Sequence, residues 1–144
     1  MGELVQVRRF GGPEELEVVD APLPTAGRGE VRVRMLASSV EYTDVLIRRH
    51  LYPQTMHRRP PFVIGYDVVG EIDQLGDGVS GLQVGDRVAD MTVVGSNAAY
   101  RTPRADRLAR VPGGLDAADA RRGPKRKAHE RRRLLQHYRH KPDF

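Results

Sequence analysis

Two tyrosines and two carboxylates are the groups in this chain best suited to chemistry: Tyr42 and Tyr52, with Glu41 adjoining the first, and Asp67. A phenol hydroxyl can donate a hydrogen bond to an oxygen on which charge develops. A carboxylate can offer oxygen to a metal ion, but a catalytic zinc of three protein ligands draws on His and Cys as well. The chain has no cysteine, so thiolate ligands and disulfides are both excluded. His50 and His57 are isolated in sequence, and such histidines are ordinarily loop or surface residues. No metal is expected. Weighed against a chemical role, a tyrosine is commonly a half-buried packing residue.

The frame that must position these groups reads as a series of short strands. Leu4 to Phe10 and Leu16 to Val19 are parted by Gly11-Gly12-Pro13, and Val31, Val33 and Met35 alternate onto one face of a third strand. Thr43 to His50 reads as a short helix, with Thr43 as its cap, Asp44 in the first turn and Arg48 and Arg49 at the negative end of its dipole. Pro53 stops it. Phe62 to Leu75 reads as one strand region, closed by Gly76-Asp77-Gly78, and further strands follow Gly85, at Ala98 to Thr102 and at Leu108 to Val111. Gly76, Gly78 and Gly85 are expected at positive φ, and Gly65 and Gly70 where backbone closes on a neighbour. The fold class expected is mainly β, a partly open barrel with one or two short helices.

The chain changes character near residue 120. Residues 121–144 hold ten Lys or Arg against Glu130 and Asp143, a charge of +8 within a whole chain of +5, so residues 1–120 carry −3. The high pI belongs to this tail, which reads as disordered. No stretch approaches the ~20 apolar residues that cross a bilayer, and the N-terminus lacks the apolar core of a secretion signal. No membrane partner and a cytoplasmic location are the expectations.

Four stretches resemble the medium-chain dehydrogenase/reductase superfamily, in its N-terminal GroES-like domain. They are Gly29-Glu30-Val31-Arg32-Val33, Ser39-Val40-Glu41-Tyr42-Thr43-Asp44, Gly65-Tyr66-Asp67-Val68-Val69-Gly70-Glu71-Ile72 and Val84-Gly85-Asp86-Arg87-Val88. The zinc-dependent branch carries Cys-His where Glu41 and Tyr42 stand, and His-Glu where Tyr66 and Asp67 stand. The resemblance therefore implies the zinc-independent quinone oxidoreductase branch, with NADPH as cofactor. By position, Glu41, Tyr42, Leu46 and Tyr52 would line its nicotinamide and substrate cleft. Glu41 stands where that branch often has Asn, Leu46 where some members have Tyr, and His50 where Gly is common.

Hydride transfer to a quinone or enone mainly requires that donor and acceptor carbons be positioned. Tyr52 is the first candidate to donate a hydrogen bond to the acceptor carbonyl, and Tyr42 the second. The superfamily binds its dinucleotide on a C-terminal Rossmann domain, whereas the G-x-G-x-x-G spacing of this chain, Gly76 to Gly81, falls in a turn between strands and opens no helix. The expected organisation is a catalytic domain over residues 1–115, then an aborted inter-domain connection and basic tail over 116–144. Such a chain is expected to be monomeric and inactive alone. The tail has three readings: a truncated or frame-shifted reductase, a solvated disordered end, or an arm that binds nucleic acid or another polyanion through Lys125-Arg126-Lys127 and Arg131-Arg132-Arg133. The first is favoured, because patterning and resemblance stop together. The last defines a competing class of function, a non-enzymatic interaction module. His137 and His140 are not expected to form a metal site.

Overall fold

Alternation of apolar and polar residues builds antiparallel strands wherever one face can be buried. In β3 (Val31–Ser38) Val31 and Val33 point into the core, while Arg32 pairs on the other face with Asp73 at 2.9 Å. The structure, a computed structural model, describes residues 1–122. One sheet runs in the order β2 (Leu16–Ala21), β1 (Gly2–Val7), β4 (Phe62–Val63). The other runs β7 (Tyr100–Arg101), β3, β5 (Asp67–Leu75), β6 (Arg87–Met91), β8 (Ala109–Arg110). Residues 97–99 stitch the two sheets together. Ala99 N–H donates to Glu3 O at 2.8 Å, and Ala99 O accepts from Met35 N–H at 2.9 Å. The sheets do not close, so the mainly β, partly open architecture expected from the sequence is the one that forms.

The core is small and branched. Val31, Val33, Ile72 and Val88 are almost wholly buried, with Val79, Leu82, Ala105 and Leu108 packed against them. Each such burial contributes about 1.5–3 kcal/mol. Beside this apolar centre, Asp90 of β6 and Arg101 of the edge strand β7 meet across the curled sheet, at 3.3 Å. Burial lowers the Arg101 pKa and Asp90 opposes that shift.

Three local expectations are corrected. Phe62 to Leu75 is two strands, because Gly65 at φ 112° turns the chain between β4 and β5. Gly78 and Gly85 do take positive φ, but Gly76 is absent from that set. Its requirement is space, since a Cβ there would overlap the Gly27 carbonyl oxygen. The helix α1 (Tyr42–Arg48) begins one residue earlier than expected, with Glu41 rather than Thr43 at its N-cap. Asp44 reaches back to accept the Glu41 N–H at 2.8 Å. This contact satisfies an amide at the helix start, a role that a residue inside the first turn leaves no room for Thr43 to play.

The C-terminal end of α1 closes as a Schellman turn. His50 N–H donates to Ile47 O at 3.0 Å and Leu51 N–H to Leu46 O at 2.8 Å. His50 takes φ 58° there, in the region that favours glycine. Its ring stacks on Phe10 at 4.0 Å. A short α2 (Ala117–Arg122) follows Asp116, whose Oδ1 accepts the Ala118 N–H at 2.8 Å, and packs against β3 and β5. The readings of the tail, including His137 and His140, fall outside the described residues.

Candidate active site

Two glycines and one helix start set the geometry of the site. Gly65 packs so closely that a Cβ would lie 2.5 Å from the Asn97 amide nitrogen. That contact delivers Tyr66 and Asp67 to the start of β5, opposite the end of β3 where Ser38 pairs with Val68. Asp67 Oδ1 accepts from both Ser39 N–H, at 2.7 Å, and Ser39 Oγ–H, at 2.5 Å. This double hydrogen bond fixes the link between β3 and α1. Ser39 and Asp44 are both buried, and Asp44 is 5% exposed.

Asp44, Asp67 and Glu41 thus gather three carboxylates at one end of α1. Burial raises the Asp44 pKa above its ordinary 3.8, and the Asp67 and Glu41 charges push it the same way. The Glu41 and Gly65 backbone amides oppose the rise. One Asp44 oxygen, Oδ1, remains buried without a hydrogen-bond partner.

Tyr52 is half-buried just before the turn Pro53–Thr55, and it pairs with Tyr66. Burial first, and then the hydrogen bond to Tyr52, raises the Tyr66 pKa above 10.0. Glu41 and Tyr42 lie exposed at the start of α1, Tyr42 at 74%. Leu46 follows Tyr42 by one turn on the same helix face. The structure therefore brings Tyr52 beside Tyr66. His57 is exposed, while His50 is held by Phe10 and by Met56 O, 3.0 Å from its Nε2. Among the described residues, no group of three or more His, Cys, Asp or Glu is arranged to hold a metal ion.

Sequence reasoning named Tyr52 but missed what holds it. Tyr66 was noted only for the histidine it replaces, and Asp44 only as a first-turn acid. The Ser39–Asp67 contact spans 28 residues and has no local signal. A cavity of about 290 Å³ lies elsewhere, lined by Leu4, Leu23, Val63, Ala98 and Tyr100, and touches none of these groups.

Val40, Tyr42, Leu51 and Met56, which flank or belong to α1 in sequence, are exposed large hydrophobic side chains. Residues 27–123 match the alcohol dehydrogenase GroES-like domain, and the chain belongs to that family. It is 33% identical to a quinone oxidoreductase of Pseudomonas aeruginosa over 121 residues, 83% of this chain and 36% of that enzyme. It is 38% identical to a mycocerosic acid synthase-like polyketide synthase of Mycobacterium tuberculosis over 119 residues, 83% of this chain but 6% of that one. A mycobacterial protein solved in complex with NADPH superposes with a TM-score of 0.76 at 32% identity, covering 99% of this chain and 42% of the other. The chain spans well under half the length of these proteins. The oxidoreductase family and the quinone oxidoreductase likeness expected from the sequence are both borne out.

Proposed function

We propose that this chain is the acceptor-side catalytic half of an NADPH-dependent reductase of quinones or enones. The observation that supports the reading is the half-buried Tyr52–Tyr66 pair, and in this reading the Tyr52 hydroxyl faces a substrate carbonyl. In this reading Tyr52 is the catalytic donor and Tyr66 positions it. Tyr42 and Leu46 offer ring and aliphatic surface to a nicotinamide, and Glu41 lies beside them. These residues suit the flat ring of the cofactor, but none of them cradles its phosphates. NADPH, when bound, supplies the hydride, and the chain supplies orientation and the hydrogen bond to the acceptor oxygen. Quinone reduction is said of the Pseudomonas relative by its name and is extended to this chain here.

Residues 1–115 form the catalytic unit, and residues 116–144 begin as the connection toward a dinucleotide-binding half. In this reading a dinucleotide-binding half supplies the tight hold on NADPH, and these 144 residues by themselves are expected to be inactive. Loss of the Tyr52 hydroxyl in an active protein, made by joining this chain to such a half, tests the assignment. Tyr52→Phe is expected to lower turnover on the order of 10²-fold with little change in folding. Unchanged kinetics would remove Tyr52 from the site.

A further inference from the structure

Among the described residues, His50 alone holds a positive φ without being a glycine, at 58°. A glycine would take that backbone freely, and the imidazole in its place makes two contacts that a glycine lacks. Its ring lies flat on Phe10, with centroids 4.0 Å apart and planes 3° apart. Its Nε2 lies 3.0 Å from Met56 O, and because a carbonyl oxygen only accepts, Nε2 carries a proton and donates. The seat under the ring is itself fixed. Gly11, next to Phe10, exchanges hydrogen bonds with Arg48 of α1: Gly11 N–H donates to Arg48 O at 3.0 Å, and Gly11 O accepts from Arg48 Nη1 at 2.6 Å. The Phe10 ring also meets Phe62, at 6.1 Å.

Tyr52 opens the Pro53–Thr55 turn and Met56 closes it. Buried Thr55 donates to Tyr52 O twice, through its N–H at 3.0 Å and its Oγ–H at 3.1 Å. The turn thus holds its own shape, and the hydrogen bond from His50 ties that shape to the end of α1 and, through the stack, to Phe10. We propose that His50 is a positioning residue: seated on Phe10, it clamps the turn at Met56 O and so sets the direction of Tyr52. Strained backbone at His50 is the cost of placing an imidazole there. The proposal rests on the reductase reading, which makes Tyr52 the donor to the acceptor oxygen.

The clamp can be read without turnover, so the two readings fail separately. The isotopically labelled 144-residue chain is compared with its His50→Gly and His50→Asn variants by NMR relaxation. Both replacements suit left-handed backbone, and neither carries a ring to stack on Phe10. Larger motion at residues 52–56 is expected in both variants, with the signals of β3 and β5 unmoved. In the protein made by joining residues 1–120 to the dinucleotide-binding half of the Pseudomonas relative, His50→Gly is expected to lower kcat roughly tenfold with KM little changed. Added to Tyr52→Phe, it is expected to lower kcat no further. Equal motion at 52–56 in all three chains, a loss confined to KM, or an undiminished loss in the Tyr52→Phe background would each overturn the proposal. Unchanged turnover with Tyr52→Phe alone would instead overturn the reductase reading, while the relaxation data still report on the clamp.

Discussion

Asp44 is where the residue scale decides most. A buried carboxylate with one oxygen unpartnered is held for its geometry, since the other oxygen starts α1. Its pKa is raised in the fold, so the native state binds more protons than the unfolded one as pH climbs past the ordinary carboxylate value. Stability from this group is therefore full below about pH 4 and falls as pH rises through the native pKa. Asp44→Asn keeps an acceptor for the Glu41 amide and abolishes the charge. Thermal melts from acid to neutral pH are expected to show a smaller stability loss in the variant. An equal or larger loss would mean that Asp44 does not ionise at a cost. If Tyr52 is the donor we propose and Tyr66 positions it, Tyr66→Phe is expected to lower kcat of the active joined protein by a smaller factor than Tyr52→Phe does, and to shift its pH profile. A KM change alone would assign Tyr66 to packing.

At the scale of elements, local pattern was legible and long-range contact was not. Alternation located β3, and Gly-Pro punctuation separated β1 from β2, because one buried face leaves a period of two in the sequence. The helix was recognised too, but its cap was not: Thr43 and Glu41 are both plausible starts until Asp44 is seen turned back onto the Glu41 amide. Gly65 looked like a close-approach glycine and is one, yet only the structure shows that it also divides a strand. A Cβ there meets the Asn97 backbone while φ sits at 112°, so repacking a side chain cannot relieve it. Gly65→Ala is expected to destabilise the domain by more than ~1 kcal/mol in denaturant titration. It should also disturb Asp67, which follows two residues later. His50 illustrates two effects of similar size: left-handed backbone costs about 1–2 kcal/mol, while its stack on Phe10 returns about 0.5–1.5.

Across the whole molecule, the five-stranded sheet curls until Asp90 and Arg101 meet inside it. Neither position announced this, because β6 and β7 are not sheet neighbours and the residues read as ordinary strand polars. Asp90 is 2% exposed and its oxygens accept no hydrogen bond, so the Arg101 charge is its main compensation. Arg101→Met alone is expected to destabilise by about 3–5 kcal/mol, and adding Asp90→Leu should restore much of that loss in the same melts. Additive losses would contradict a compensated pair. The barrel's identity was carried by four short motifs, and its chemistry by what replaces the metal ligands at two of them. The charge break near residue 120 was equally plain in the sequence, and α2 carries regular structure just past it.

The account stands on this chain being the acceptor half of a reductase that relies on a separate dinucleotide-binding half. The most direct test compares NADPH oxidation with a quinone acceptor by the 144-residue chain alone and by residues 1–120 joined to the dinucleotide-binding half of the Pseudomonas relative. No turnover by the chain and measurable turnover by the joined protein are predicted. Turnover by the chain alone, or none by a folded joined protein that binds NADPH, would contradict the account.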